Sequence, residues 1–129
     1  MKVLLVNGSP HKNGCTHRAL QEIQMQLKKE AIDSEIFWIG STVQGCIGCC
    51  QCQESGTCVF DDILKIFLEK AKDTDGFIFG SAVYYGSSTG SLSSFMDRLF
   101  FSGSSYLETN QLPQLFPVAE EVLLKPSPR

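Results

Sequence analysis

Residues 3–6 read Val-Leu-Leu-Val, apolar at every position, and run straight into the turn-forming pair Asn7 and Gly8. Successive side chains of a strand point to opposite faces, so a run with no polar position needs cover on both sides. That is the environment of a strand inside a parallel sheet layered between helices. The following sequence supplies the cover. Leu20, Ile23, Leu27 and Ala31 recur at helical spacing, with Glu22, Lys28, Lys29 and Glu30 among the polar positions. Residues 35–39, Glu-Ile-Phe-Trp-Ile, form a second strand. Asp61 and Asp62 are good N-caps for a helix that buries Leu64, Phe67, Leu68 and Ala71. Residues 76–81 read as a third buried strand and residues 84–90 as a loop, with Leu92, Phe95, Met96 and Leu99 as one face of a third helix. This β-α-β-α-β-α alternation predicts an α/β fold with a doubly wound parallel sheet.

Size and charge narrow the function classes. At 129 residues, 43% of them hydrophobic, the chain suffices for one core and one domain. Eleven basic against fourteen acidic side chains give −3 with no basic run, which argues against nucleic acid or an anionic membrane as partner. No stretch has the length of a membrane span, and no charged n-region precedes a long apolar segment. The expected location is therefore the cytoplasm, where thiols stay reduced.

In an open parallel sheet, ligands bind beyond the carboxyl ends of the strands, and residues 8–16, 45–58 and 82–90 all lie there. The first of these offers Ser9, Asn13 and Thr16 and a string of backbone N–H groups ahead of a helix N-terminus, which suits a phosphate or, more plainly, an ordinary strand-to-helix turn. It is neither G-x-G-x-x-G nor a P-loop. Tyr84 and Tyr85 bring two rings to the same edge, either to wall a flat heterocycle or simply to cover the sheet end.

The second loop carries five of the six cysteines. Leaving Cys50 aside as a bystander, Cys46, Cys49, Cys52 and Cys58 read C-x2-C-x2-C-x5-C. Thiolates are soft ligands for iron–sulfur clusters and zinc. Zinc sites usually pair two knuckles across a longer insertion, and free thiols are a third reading. His11 and His17 read as loop residues, Trp38 as core, and Asp97-Arg98 as a structural ion pair or interface contact. No hydrolytic dyad stands out, so redox chemistry here would belong to a cofactor.

Together, residues 7–16 (N-G-S-P-H-K-N-G-C-T) and 81–98 (S-A-V-Y-Y-G-S-S-T-G-S-L-S-S-F-M-D-R) resemble the two FMN-binding signatures of the flavodoxin-like NAD(P)H-dependent FMN reductases. The cysteine spacing resembles the iron–sulfur flavoprotein branch of that family. The likeness covers roughly residues 1–103. It implies a flavodoxin-like fold, non-covalent FMN, NAD(P)H as co-substrate, and homo-oligomers in which a neighbouring subunit helps to enclose the flavin. By motif, Ser9, Lys12, Gly14, Cys15 and Thr16 would surround the FMN phosphate, and Ala82, Val83, Tyr84, Tyr85 and Gly86 would border the ribityl chain and isoalloxazine. Cys46, Cys49, Cys52 and Cys58 would ligate a [4Fe–4S] centre. Two positions depart from the pattern: Cys15 stands where relatives usually have Asn or Ser, and Ala82 where they usually have Pro.

The resemblance implies an oxidoreductase passing electrons from NAD(P)H or a ferredoxin-like donor through FMN to a small acceptor or electron-carrier partner. The alternatives are a non-catalytic electron carrier and a zinc- or thiol-binding interaction domain with a degenerate flavin site. A flavodoxin-like sheet has five strands, and only three are evident here. The expectation is a flavodoxin-like domain over residues 1–111, truncated after its third strand and third helix, and an irregular tail over 112–129 with four prolines in its last eighteen residues. Codons for residues 113–124, read two bases later, can encode a segment resembling the family's fourth strand and its following loop. A frameshift near Leu112 is the expected cause.

Overall fold

The computed structural model describes residues 1–103. The apolar run becomes β1 (Lys2–Asn7), the middle strand of a parallel sheet ordered β2-β1-β3, with β2 at Asp33–Trp38 and β3 at Gly76–Gly80. Leu4, Leu5 and Val6 are fully buried, as an all-apolar central strand requires. Register is continuous from Lys2 opposite Asp33 to Asn7 opposite Trp38, and from Val3 opposite Gly76 to Asn7 opposite Gly80. All three strands therefore end level on one edge.

The two faces of β1 feed two cores. Val3 and Leu5 pack with Leu20, Ile23 and Leu27 of α1 (Cys15–Lys29). Leu4 and Val6 pack on the other side with Leu64, Phe67 and Leu68 of α3 (Ile63–Ala71) and with Leu92, Phe95 and Leu99 of α4 (Gly90–Ser102). Phe67 is the hub of this second core: its ring centroid lies 5.4 Å from Phe37, 5.5 Å from Phe77 and 5.1 Å from Phe95. Such offset and edge contacts add to the burial of the rings themselves. The order β2-β1-β3, with helices on both faces, is the flavodoxin-like arrangement expected from the sequence.

Boundaries differ in instructive ways. The first helix stops at Lys29 rather than including Ala31, which takes a left-handed φ of 57°. Ala31 N–H donates to Lys28 O at 3.1 Å and Ile32 N–H to Leu27 O at 2.9 Å, a Schellman stop with Ala in the place usually taken by Gly. The second strand starts two residues earlier than expected and ends one earlier, although Ile39 N–H still reaches Asn7 O at 3.3 Å. Asp62 caps α3, its carboxylate accepting from Leu64 N–H at 3.3 Å. A short helix not evident in the sequence, α2 (Gln51–Ser55), lies within the cysteine segment. The expected break near Leu112 and the tail at 112–129 lie outside the described residues, as do residues 104–111 of the expected domain.

Candidate functional site

Asn7 organises the first loop. It is fully buried at the end of β1, where its Oδ1 accepts from Ser9 N–H at 3.0 Å and its Nδ2 donates to Lys12 O at 3.1 Å. In the sequence Asn7 marks the strand's end and opens the 7–16 segment, without a structural role of its own being evident. Its position after an apolar run was the available signal, since Asn bonds its own backbone two residues on. Ser9 is also buried; its hydroxyl accepts from His11 N–H at 3.1 Å, which leaves its own proton to donate. Trp38 is not simply core. Its indole N–H donates to Ser9 O at 2.9 Å, and Lys12 Nζ lies 5.6 Å from the centre of its ring. Gly14 precedes α1 without any side-chain cap, so the first-turn N–H groups at Cys15 and Thr16 and the positive end of a fifteen-residue helix are left for an anion.

The second loop is stitched to the first. Gly8 N–H donates to Gly80 O at 2.8 Å. A Cβ on Gly8 would come within 2.8 Å of Leu92 Cβ and 3.0 Å of Gly80 O, so only glycine permits this approach. Ser81 Oγ accepts from Thr89 N–H at 3.0 Å. Beyond it, Tyr84 and Ser87 exchange backbone bonds of 2.9 and 3.1 Å around Tyr85 and Gly86. Both central residues have positive φ, 52° and 74°, the condition for a type I′ turn. Gly86 adopts it freely, whereas Tyr85 does so at a cost and projects fully into solvent. Tyr84 is exposed as well. The two rings therefore do not cover the sheet end.

The cysteine segment follows β2 and is held against α4. Ser91 Oγ donates to Ser41 O at 3.2 Å. Cys46, Cys49, Cys50, Cys52 and Cys58 line one shallow concavity, partly open to solvent. All five are free thiols. Gly48 N–H donates to Cys46 Sγ at 3.4 Å, while Cys50 takes a left-handed φ of 58° and turns its own thiol toward Gly48 O at 3.6 Å. Cys50, set aside on spacing, thus shares the concavity with the expected four.

Arg98 closes the inner wall. It is 1% exposed; its two terminal nitrogens each lie 2.8 Å from a different Asp62 oxygen, NH1 also donates to Gln44 O at 3.0 Å, and Nε donates to Cys58 Sγ at 3.4 Å. Arg98 of the expected Asp97-Arg98 contact forms a structural ion pair, but its partner is Asp62, from the cap of α3. The guanidinium hydrogen bonds hold the Asp62 carboxyl below its ordinary range against the opposing effect of burial, and Asp62 raises Arg98 in turn.

The donor set suits an iron–sulfur group. One zinc ion asks its thiolates to lie within about 4.6 Å of one another, twice the Zn–S bond. Among the described residues, no three His, Cys, Asp or Glu side chains are gathered to hold a single ion. Five soft sulfur donors line one concavity, with Ile47, Val59, Phe60 and Phe101 completing its apolar walls, and thiolates of this kind are the ligands that iron–sulfur clusters take.

A doubly wound sheet with three loops gathered at its carboxyl edge defines a flavodoxin-like protein. The chain belongs to the NADPH-dependent FMN reductase family, whose family model matches residues 1–118. It is 38% identical over 100 residues to an iron-sulfur flavoprotein of Methanocaldococcus jannaschii, covering 76% of this chain and 51% of that protein. An iron-sulfur flavoprotein of Archaeoglobus fulgidus is 34% identical over 99 residues, covering 76% of this chain and 48% of that one. The chain thus spans about half the length of the curated relatives it matches. Among solved structures, RosB with a bound 8-demethyl-8-formylriboflavin-5′-phosphate intermediate has a TM-score of 0.61 at 16% identity, over 77% of this chain and 42% of that one. A flavone reductase has a TM-score of 0.59 at 19% identity, over 84% and 36%. These two share the fold. Among the described residues, no helix is long and apolar enough to cross a membrane.

Proposed function

We propose that the chain is the flavin-binding part of an FMN-dependent oxidoreductase that takes electrons from NAD(P)H or a ferredoxin-like donor and delivers them to a small acceptor, with a [4Fe–4S] centre on Cys46, Cys49, Cys52 and Cys58. The observation that carries this reading is the five-cysteine concavity against α4, in a fold whose first loop leaves the N-terminus of α1 uncapped. FMN would supply the junction between two-electron and one-electron steps, and the cluster would supply one-electron relay.

The chain's own residues bind and orient. The N–H groups at Cys15 and Thr16 and the helix dipole would hold the FMN phosphate, Ser9 would donate its free hydroxyl proton, and the Lys12 ammonium would add positive charge. Gly14 leaves the backbone open to close approach. Ala82 and Val83 would border the ribityl chain, and the turn at Tyr84, Tyr85 and Gly86, with its exposed rings, would meet the flat ring system. The exposure of Tyr85 supports a role for a second copy of the chain in completing the flavin's enclosure, and the unbridged thiols support a reducing compartment such as the cytoplasm.

An anaerobic visible spectrum with FMN, iron, sulfide and zinc quantified on the same sample tests this reading. Flavin bands on a broad iron–sulfur background are expected. Stoichiometric zinc without flavin would overturn it in favour of a metal-binding interaction domain, and a flavin that neither NADH nor NADPH bleaches would reduce it to an electron carrier.

A further inference from the structure

Arg98 has the largest of the fully buried side chains among the described residues. A buried guanidinium is tolerated only when its donors are partnered, and a carboxylate fork alone would satisfy the charge. Here Asp62 takes both terminal nitrogens, and Nε is left facing a sulfur at 3.4 Å. Asp62 is itself fixed, because the oxygen that accepts from Arg98 NH2 also caps α3 through Leu64 N–H. The plane of the guanidinium is thereby set from outside the cysteine segment, and its remaining edge points at Cys58. Phe60, whose ring centre lies 5.2 Å from the Arg98 guanidinium carbon, packs beside it.

We infer that Arg98, oriented by Asp62, is a positioning residue of the cysteine centre: its Nε–H holds the Cys58 sulfur toward the concavity and raises the reduction potential of an iron–sulfur group bound there. The inference rests on the reading of Cys58 as a ligand. Reduction adds negative charge that spreads onto the ligating sulfurs. A hydrogen bond and a cation against one of those sulfurs favour the reduced form, and hydrogen bonds to sulfur and local charge are known levers on cluster potential. Cys46 receives only a neutral backbone N–H at 3.4 Å, so the cationic donor distinguishes Cys58.

The test measures midpoint potential by anaerobic redox titration of the cluster-loaded protein, beside its iron and sulfide content, in the wild type, Arg98→Lys and Asp62→Asn. Arg98→Lys keeps the charge but loses the planar fork and its Nε–H. Its one-electron reduction equilibrium should fall on the order of tenfold, about 59 mV. Asp62→Asn keeps an acceptor for the α3 cap but breaks the carboxylate fork that orients the guanidinium, so its potential should fall even though the loss of a nearby negative charge would by itself raise it. Falls in both variants at wild-type iron content support the inference, because a purely structural ion pair would leave Arg98→Lys unmoved and could only raise Asp62→Asn through charge. Unchanged potentials in both variants overturn it while leaving the cluster reading intact. A wild type that binds no iron and sulfide overturns the cluster reading and this inference with it. Where Arg98→Lys fails to fold, Asp62→Asn decides: a lowered potential supports the inference and an unchanged or raised one overturns it.

Discussion

Thr89 donates its hydroxyl proton to Gly8 O at 2.6 Å, across 81 residues of sequence, and the same oxygen accepts Leu92 N–H at 3.1 Å. One side chain thus caps α4 and ties its start to the loop that follows β1. Thr89→Val removes both bonds and leaves a buried carbonyl without that donor. A lost cap costs about 1 kcal/mol and an unsatisfied buried group about 1–3 kcal/mol more. The urea midpoint should fall accordingly, and Thr89→Ser should recover most of the loss.

Tyr85 should show stability and binding moving in opposite directions. Its positive φ stores strain that glycine would release, so Tyr85→Gly should gain about 0.5 kcal/mol after glycine's own entropy cost. Losing the ring should weaken FMN about threefold or more, on the scale of one aromatic contact. Thermal unfolding and flavin fluorescence titration on the same variant read the two effects.

Ala31→Gly should stabilise the protein, because the Schellman stop after α1 holds Ala31 at a φ of 57°. A net gain of about 0.5–1 kcal/mol is expected, a few degrees in Tm by the usual scaling. Differential scanning calorimetry checks it.

The ion pair makes a signed prediction with pH. Asp62 is held below the ordinary carboxylate range in the folded protein, chiefly by its hydrogen bonds to Arg98. Its contribution to stability is therefore fully present above the unfolded value, about 3.9, and is lost as pH falls through the lower folded value. The advantage of wild type over Asp62→Asn should be level from pH 7 to about 5 and shrink below about 4. Chemical denaturation of both proteins across that range measures it.

Cys50 separates spacing from proximity. It lines the concavity with the other four, yet its thiol is turned toward Gly48 O. Cys50→Gly should keep wild-type iron content and relieve a strained φ, whereas Cys58→Ala should lose iron. Iron and sulfide assays of the reconstituted variants distinguish the two roles.

What could be read from the sequence followed from local pattern. The all-apolar run at β1 demanded two covered faces, and the periodicity of α1, α3 and α4 supplied them. The three loops were legible because strand direction sends each to the same edge. Ala31 was misread because alanine is a good helix former, and only the backbone bonds from Ile32 and Ala31 reveal the stop. Asp62 was legible as a cap but not as the partner of Arg98, since 36 residues separate them and nothing local records the meeting. α2 escaped because five residues carry too little periodicity. The cysteine spacing gave a candidate ligand set, while the cationic donor beside it needed the fold.

Arg98 touches Gln44 O at one flank of the cysteine segment and Cys58 Sγ at the other. One side chain from α4 therefore draws together both ends of a loop whose interior contributes little to either core. Closing such a loop costs only about 0.6 kcal/mol more for each doubling of its length. By that scaling, the stretch between the two flanks can be rewritten or lengthened at little cost to the sheet beneath, as long as Arg98 keeps its hold on both ends.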